Sequence, residues 1–206
     1  MKILHVRCST RGARSESSRL SRKIVELLLH QEPAAVVIER PIGDTPVQHV
    51  DAHYADAQHA AGPGFAHGGS MSCSEALIQE LESADAVVIG TPMHNLMVPS
   101  TLKAWLDHVV RAGRSFGMTP KGKAGFLRDR PVFVAIASGG VFSGEAARQP
   151  DLLTPYLKLA LGTTGLQRVH FFSVEGTAFG TEWVAKARHE TDGRLRDWFE
   201  SFSIGR

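Results

Sequence analysis

Five short apolar runs rich in β-branched residues, each followed by a stretch with helical periodicity, constrain this chain more than any other feature. The runs are Ile3-Leu4-His5-Val6, Val36-Val37-Ile38, Ala86-Val87-Val88-Ile89-Gly90, Val132-Phe133-Val134-Ala135-Ile136-Ala137 and Val169-His170-Phe171-Phe172-Ser173-Val174. Such near-continuous runs suit strands covered on both faces, because a half-exposed strand alternates apolar and polar residues instead. Between them, Leu20, Ile24, Leu27 and Leu28 share one helical face. Leu77, Ile78, Leu81 and Ala84 form a second stripe, Leu102, Trp105, Leu106 and Val109 a third, and Tyr156, Leu157, Ala160 and Leu161 a fourth. A last helix is expected from Glu182 to Phe202. Ser74 is expected to cap a helix over Glu75, and Thr154-Pro155 to place proline at a first helical position. Strand–helix alternation repeated five times predicts an α/β fold with a doubly wound parallel sheet and right-handed crossovers.

A chain of 206 residues fits one domain, 1–206, with a substantial core. One stretch breaks the rhythm: residues 51–70 are rich in Ala, Gly and His and read as a long excursion before the second helix. A net charge of +2 with scattered basic residues leaves no electrostatic footprint for nucleic acid or an anionic membrane. No apolar run reaches the length of a membrane span. The start of the chain reads as a strand rather than a signal peptide, so the cytoplasm is the expected compartment. Cys8 and Cys73 are too few for a disulfide framework or a zinc cage. His49 and His53 stand four apart, with His59 and His67 beyond, but no nearby Glu completes a hydrolase motif, and no metal site is expected. His5 reads as a structural histidine on a core strand. Trp105, Trp183 and Trp198 read as packing residues.

The first strand runs into Cys8-Ser9-Thr10-Arg11-Gly12-Ala13-Arg14-Ser15-Glu16-Ser17-Ser18-Arg19-Leu20-Ser21. A hydroxyl-rich turn opening a helix suits a phosphate site, because free N–H groups and the helix dipole favour an anion there. Arg11 or Arg14 can add charge-assisted bonds. The plainer reading is a serine cap with solvated arginines. The segment has neither G-x-x-x-x-G-K-[ST] nor G-x-G-x-x-G, which leaves a single terminal phosphate such as that of FMN. Cys8 to Ser15 also spell C-x5-R-S, the thiolate-and-arginine pattern of low-molecular-weight phosphatases, with Cys8 as nucleophile and Arg14 as phosphate clamp. Those enzymes use an acid in an Asp-Pro loop, and the chain contains no Asp-Pro.

After the third run, Pro92-Met93-His94-Asn95-Leu96 forms a Pro-x-x-Asn turn that can offer backbone donors and an apolar surface to a planar ring. After the fourth, Ser138-Gly139-Gly140 permits close approach of backbone, because glycine has no Cβ. Either can be an ordinary turn. Together with the first loop they fall on one edge of the expected sheet.

These features resemble the FMN-dependent NADH azoreductases, also described as FMN-dependent NADH:quinone oxidoreductases, of the flavodoxin-like fold. The resemblance spans nearly the whole chain. It rests on the loop from Ser9 to Ser21, Pro92-Met93-His94-Asn95, Leu102-Lys103 with Asp107, Arg111-Ala112-Gly113, Phe116, Gly139-Gly140, Leu153-Thr154-Pro155-Tyr156-Leu157, Leu161-Gly162, and Glu175-Gly176 with Gly180. It implies a five-stranded sheet of order 2-1-3-4-5. Ser9, Ser15, Glu16 and Ser17 would hold the FMN phosphate, chiefly by hydroxyls and backbone N–H. Met93, His94, Asn95 and Leu96 would line the ring, and Ala137, Ser138, Gly139 and Gly140 would close its other side. A Tyr is common in the family where His94 stands and an aromatic where Leu96 stands, and some members place aromatics where Met118 and Thr163 stand. The resemblance further implies two-electron transfer from NADH or NADPH to quinones or azo compounds by a ping-pong scheme, in a homodimer. No protein acid or base is expected. The alternative within enzymes is an NAD(P)H:FMN or metal-reducing flavin reductase on the same fold; outside catalysis it is a flavodoxin-type electron carrier, which the mild positive charge disfavours because such carriers are usually acidic.

Overall fold

The computed structural model describes residues 1–59 and 68–203. The five apolar runs become β1 (Lys2–Arg7), β2 (Val36–Arg40), β3 (Ala86–Pro92), β6 (Val132–Ala137) and β7 (Val169–Val174). They form one parallel sheet in the order β2-β1-β3-β6-β7. Counting the apolar runs, this is the expected order 2-1-3-4-5. The numbering differs because a hairpin, β4 (Phe116–Thr119) with β5 (Gly122–Gly125), is inserted before the fourth run.

Alternate strand residues point to opposite faces, and both faces are covered. Leu4, Val6, Val87, Ile89, Val134 and Ile136 join the core beneath α3 (Gly69–Ser83), α4 (Ser100–Val109) and α5 (Leu153–Thr164). Ile3, Ala86, Val88, Phe133 and Ala135 join the core beneath α1 (Glu16–Gln31) and α6 (Thr181–Ser201). The apolar helix stripes turn inward as expected, with Leu20, Ile24, Leu28, Leu102 and Trp105 without exposed surface. Just before β6, Arg130 is buried and donates to the carbonyls of Leu81, Glu82 and Ala84 at the end of α3, satisfying acceptors a helix terminus leaves free.

Local start signals were partly misleading. Ser74 does not cap α3, which begins at Gly69. The Ser74 hydroxyl is buried inside the helix and donates to the His108 carbonyl at 2.7 Å. The N-cap of α5 is Leu152, and Asp151 before it accepts from Leu153 N and Thr154 N through Oδ1; the helix starts at Leu153, so Pro155 is the third helical residue. The excursion at 51–70 holds a further helix, α2 (Ala52–His59). Asp51 and Ser70 close its ends: Asp51 N donates to Ser70 Oγ at 3.0 Å, and Ser70 N to Asp51 Oδ2 at 2.8 Å. His67 lies outside the described residues. Among those described, no three His, Cys, Asp or Glu residues gather as metal ligands, and no helix is long and apolar enough to cross a membrane.

Candidate functional site

The three turns singled out by sequence leave the sheet at one edge. The register pairs Arg7 with Gly90, Pro92 with Ala137, and Ala137 with Val174. Residues 8–15, 93–99 and 138–152 therefore emerge together at the carboxyl ends of β1, β3 and β6. The chain winds outward to β2 on one side and to β6 and β7 on the other, so the strand order reverses between β1 and β3. Open parallel sheets bind ligands at that reversal.

Glycine brings the start of α1 onto this edge. A methyl group at Gly90 would come within 2.5 Å of Ser21 Oγ and 3.0 Å of Ser17 O, so the helix lies directly against β3. Ser21 is held in turn by His5 Nε2 at 2.9 Å, while His5 Nδ1 meets Glu39 at 3.0 Å. Burial lowers the His5 pKa, more than Glu39 raises it. His5 is the structural histidine expected of a core strand.

Ser15 is the N-cap: its Oγ accepts from Ser18 N at 3.1 Å and donates to Ser18 Oγ at 2.7 Å. The next two N–H groups, of Glu16 and Ser17, have no acceptor among the described residues. Ser17 has no exposed surface. A helix start leaves such N–H groups without intrahelical partners, and an anion at this position would accept from them. The residues present therefore fit a phosphoryl group. Ser9 is buried beside them, its Oγ accepting from Arg11 N at 3.2 Å. Arg11 and Arg14 are exposed. The Glu16 carboxylate is committed elsewhere, to Arg19 Nε at 2.5 Å and to Arg188 Nε at 2.8 Å, so only its N–H is available to an anion.

Cys8 lies under this loop with 1% of its surface exposed. Burial pushes its thiol pKa far up, and Thr101 Oγ1 donates to its carbonyl at 2.8 Å. A buried neutral thiol is a poor nucleophile, which removes the phosphatase reading.

The turn after β3 is tight. His94 N donates to Met97 O at 3.0 Å, and Met97 N to His94 O at 2.9 Å. Asn95 and Leu96 both have positive φ, 48° and 69°, the signature of a two-residue type I′ turn. Asparagine tolerates this region; leucine is strained there by about 1–2 kcal/mol. His94 and Asn95 are exposed, Leu96 is half-buried, and Pro92 and Met93 lie at the strand end.

After β6, Ser138 N donates to Val174 O at 3.0 Å, and the carbonyls of Ser138, Gly139 and Gly140 accept from Thr177 N, Ala178 N and Gly176 N. Ala137 ends the strand. The N–H groups of Gly139 and Gly140 have no acceptor among the described residues. A methyl at Gly140 would overlap the Gln149 amide, whereas one at Gly139 would meet only Ala178 at 3.7 Å, leaving open space beside that residue.

Two residues that sequence reasoning gave no role hold these loops. Gln149 Nε2 donates to Ser138 Oγ at 3.1 Å and reaches Met93 Sδ at 3.2 Å, tying the β3 and β6 turns together. Glu175 anchors the β6 loop. Its Oε2 accepts from Phe142 N at 2.7 Å and Ser143 N at 3.1 Å, and its Oε1 from Ser143 Oγ at 2.6 Å and Ser173 Oγ at 2.8 Å. Glu175-Gly176 was visible as a sequence pattern, but its loop partners lie more than 30 residues upstream. Gln149 carries no local signal.

A family model described as flavodoxin-like fold matches residues 1–199. FMN-dependent NADH:quinone oxidoreductase 5 of Burkholderia lata is 45% identical over 176 residues, covering 85% of each chain. FMN-dependent NADH:quinone oxidoreductase 2 of Cupriavidus pinatubonensis is 40% identical over 205 residues, covering 98% of each. Among solved structures, an azoreductase from Bacillus anthracis superposes with a TM-score of 0.84 at 22% identity, covering 98% of this chain and 100% of that one. An FMN-dependent NADH-azoreductase from the same organism, in complex with FMN, gives 0.78 at 22% identity, covering 97% and 100%.

Proposed function

The chain belongs to the flavodoxin-like family of FMN-dependent NADH:quinone oxidoreductases, and on that premise we propose that it passes two electrons from NADH or NADPH through bound FMN to quinones, and to azo compounds, at the sheet edge described above. The observation that carries this reading is the pair of N–H groups of Glu16 and Ser17 at the start of α1, which have no acceptor among the described residues. It supports placing the FMN phosphate there, with the hydroxyls of Ser9 and Ser17 and the charge of Arg11 around it.

Bound FMN supplies the redox chemistry, accepting a hydride equivalent and passing two electrons on. The chain binds and orients it. The backbone of Asn95 and Leu96 would supply polar groups to the ring, with Met93 and Leu96 as apolar contacts. Gly139 and Gly140 would offer N–H donors to the bound ring, and preset donors stabilise developing charge without reorganising. Ala137 and Ser138 complete that wall. No side chain acts as an acid or base. Leu96, Met118 and Thr163 replace family aromatics, so quinones are the better acceptors and azo dyes the poorer ones.

The whole of 1–206 acts as one FMN-binding domain, working in the cytoplasm as a homodimer. A groove of about 690 Å³ between β5 and α5, lined in part by Lys123, Leu159 and Thr163, supports the dimer. So do the exposed side chains of Leu159 and Met118. The test is the absorbance spectrum of the purified protein and its bleaching by NADH with and without a quinone, alongside sedimentation. Yellow protein that bleaches with NADH, recovers with quinone and sediments as a dimer is expected. Colourless protein that takes up no added FMN overturns the reading. Slow bleaching by NADH favours a carrier, and a monomer at micromolar concentration removes the dimer.

A further inference from the structure

Glutamate at the first position of α1 presents a difficulty for the site proposed above. A carboxylate suits a bare helix start, where the dipole is positive. Once a phosphoryl dianion occupies the same turn, that carboxylate becomes a neighbouring like charge. Its side chain is only 9% exposed, so water screens it poorly.

The structure gives Glu16 two cations. Arg19, one turn along α1, donates from Nε to Oε1 at 2.5 Å. Its other nitrogens bond Asp192 of α6 at 3.1 and 3.2 Å, and Asp192 also holds Lys23 at 2.6 Å. The charge of Arg19 is therefore shared. Arg188, from α6, places Nε at 2.8 Å and Nη2 at 2.5 Å from Glu16 Oε2. Glu16 is the one acidic partner of Arg188 among the described residues. The two residues stand 172 positions apart in sequence.

We infer that Arg188 is a positioning residue for the cofactor phosphate: it neutralises the Glu16 carboxylate and draws it toward α6, leaving the first-turn N–H groups to the incoming dianion. The inference rests on the FMN reading above. It makes the last helix part of the phosphate site without any contact to the phosphate itself.

The test is titration of the apoprotein with FMN and with riboflavin, which lacks the phosphoryl group, followed by flavin fluorescence. Arg188→Gln is expected to weaken FMN binding about tenfold, equivalent to about 1.4 kcal/mol, and to leave riboflavin binding unchanged. Arg188→Lys keeps most of the affinity. Glu16→Gln in the Arg188→Gln background restores FMN affinity to within about twofold of the unsubstituted protein. The inference is overturned if Arg188→Gln binds FMN normally, if Glu16→Gln does not restore affinity, or if riboflavin affinity falls equally, as general loosening of the fold would cause. Unsubstituted protein that binds riboflavin and FMN equally well refutes the phosphate site itself, whatever the variants do.

Discussion

Glu175 offers the sharpest test of how the β6 loop is held, because its two carboxylate oxygens face different partners. Oε2 receives two backbone N–H groups, from Phe142 and Ser143, and Oε1 receives two serine hydroxyls. A glutamine can meet all four. Its carbonyl oxygen replaces Oε2, and its amide takes the place of Oε1, donating to hydroxyl oxygens that rotate to accept. What Glu175→Gln loses is the charge assistance, about 1 kcal/mol. Alanine loses both acceptors. The Phe142 N–H sits beside a buried side chain and is left without a partner, while the exposed Ser143 turns to water. At about 1.5–3 kcal/mol for a bond to a charged group, Glu175→Ala costs about 3 kcal/mol in all. For a domain of this size, 1 kcal/mol moves Tm by about 2–4 °C. Thermal unfolding of the apoproteins should therefore show a drop of about 2–4 °C for Glu175→Gln and about 6–12 °C for Glu175→Ala. FMN affinity should fall in the second variant and change little in the first. Equal losses in both variants, or none in either, would falsify the assignment of separate roles to the two oxygens.

Gly90→Ala places a methyl against Ser21 Oγ and Ser17 O, so α1 must move. Overpacking of this kind costs about 1–3 kcal/mol, and FMN affinity should fall with stability; unchanged values of both would mean that α1 yields freely. Acid stability should depend on Arg114, which with Arg111 pulls the Glu75 carboxyl from 4.5 down to about 2. A pKa lowered on folding stabilises the protein fully above about pH 4.5, and the benefit is lost as pH falls toward 2. Urea midpoints between pH 6 and pH 2.5 should therefore fall less steeply for Arg114→Met than for the unsubstituted protein. Parallel slopes would show that this ion pair does not set acid sensitivity.

The sheet was legible because its strands are covered on both faces: Val87, Val88, Ile89 and Val132 through Ile136 have no polar side to alternate with. The hairpin at 116–125 escaped notice because its strands are four residues each and hold three glycines, Gly117, Gly122 and Gly125. Helix α2 carries no apolar stripe; Tyr54 is buried, and its hydroxyl crosses to α4, donating to the Asp107 carbonyl at 3.0 Å. Ser74 misled because a serine before a glutamate looks the same at a helix start and inside one. The Asp51–Ser70 clamp sets the true start upstream. At the candidate site, the cap by Ser15 was local and readable. Arg188, Gln149 and Glu175 were not, because each acts on residues that only the fold brings near.

The bend from His94 to Met97 has a consequence for recognition. Leu96 adopts a left-handed backbone, held by the paired bonds between His94 and Met97. Two backbone bonds across a two-residue bend restrict its freedom, and a segment restricted in this way forfeits less entropy when it meets a flat ring than a floppy one would. Replacing Leu96 by glycine would relax the bend and loosen it at once, so the rigidity that favours capture and the discomfort of the leucine backbone are the same property.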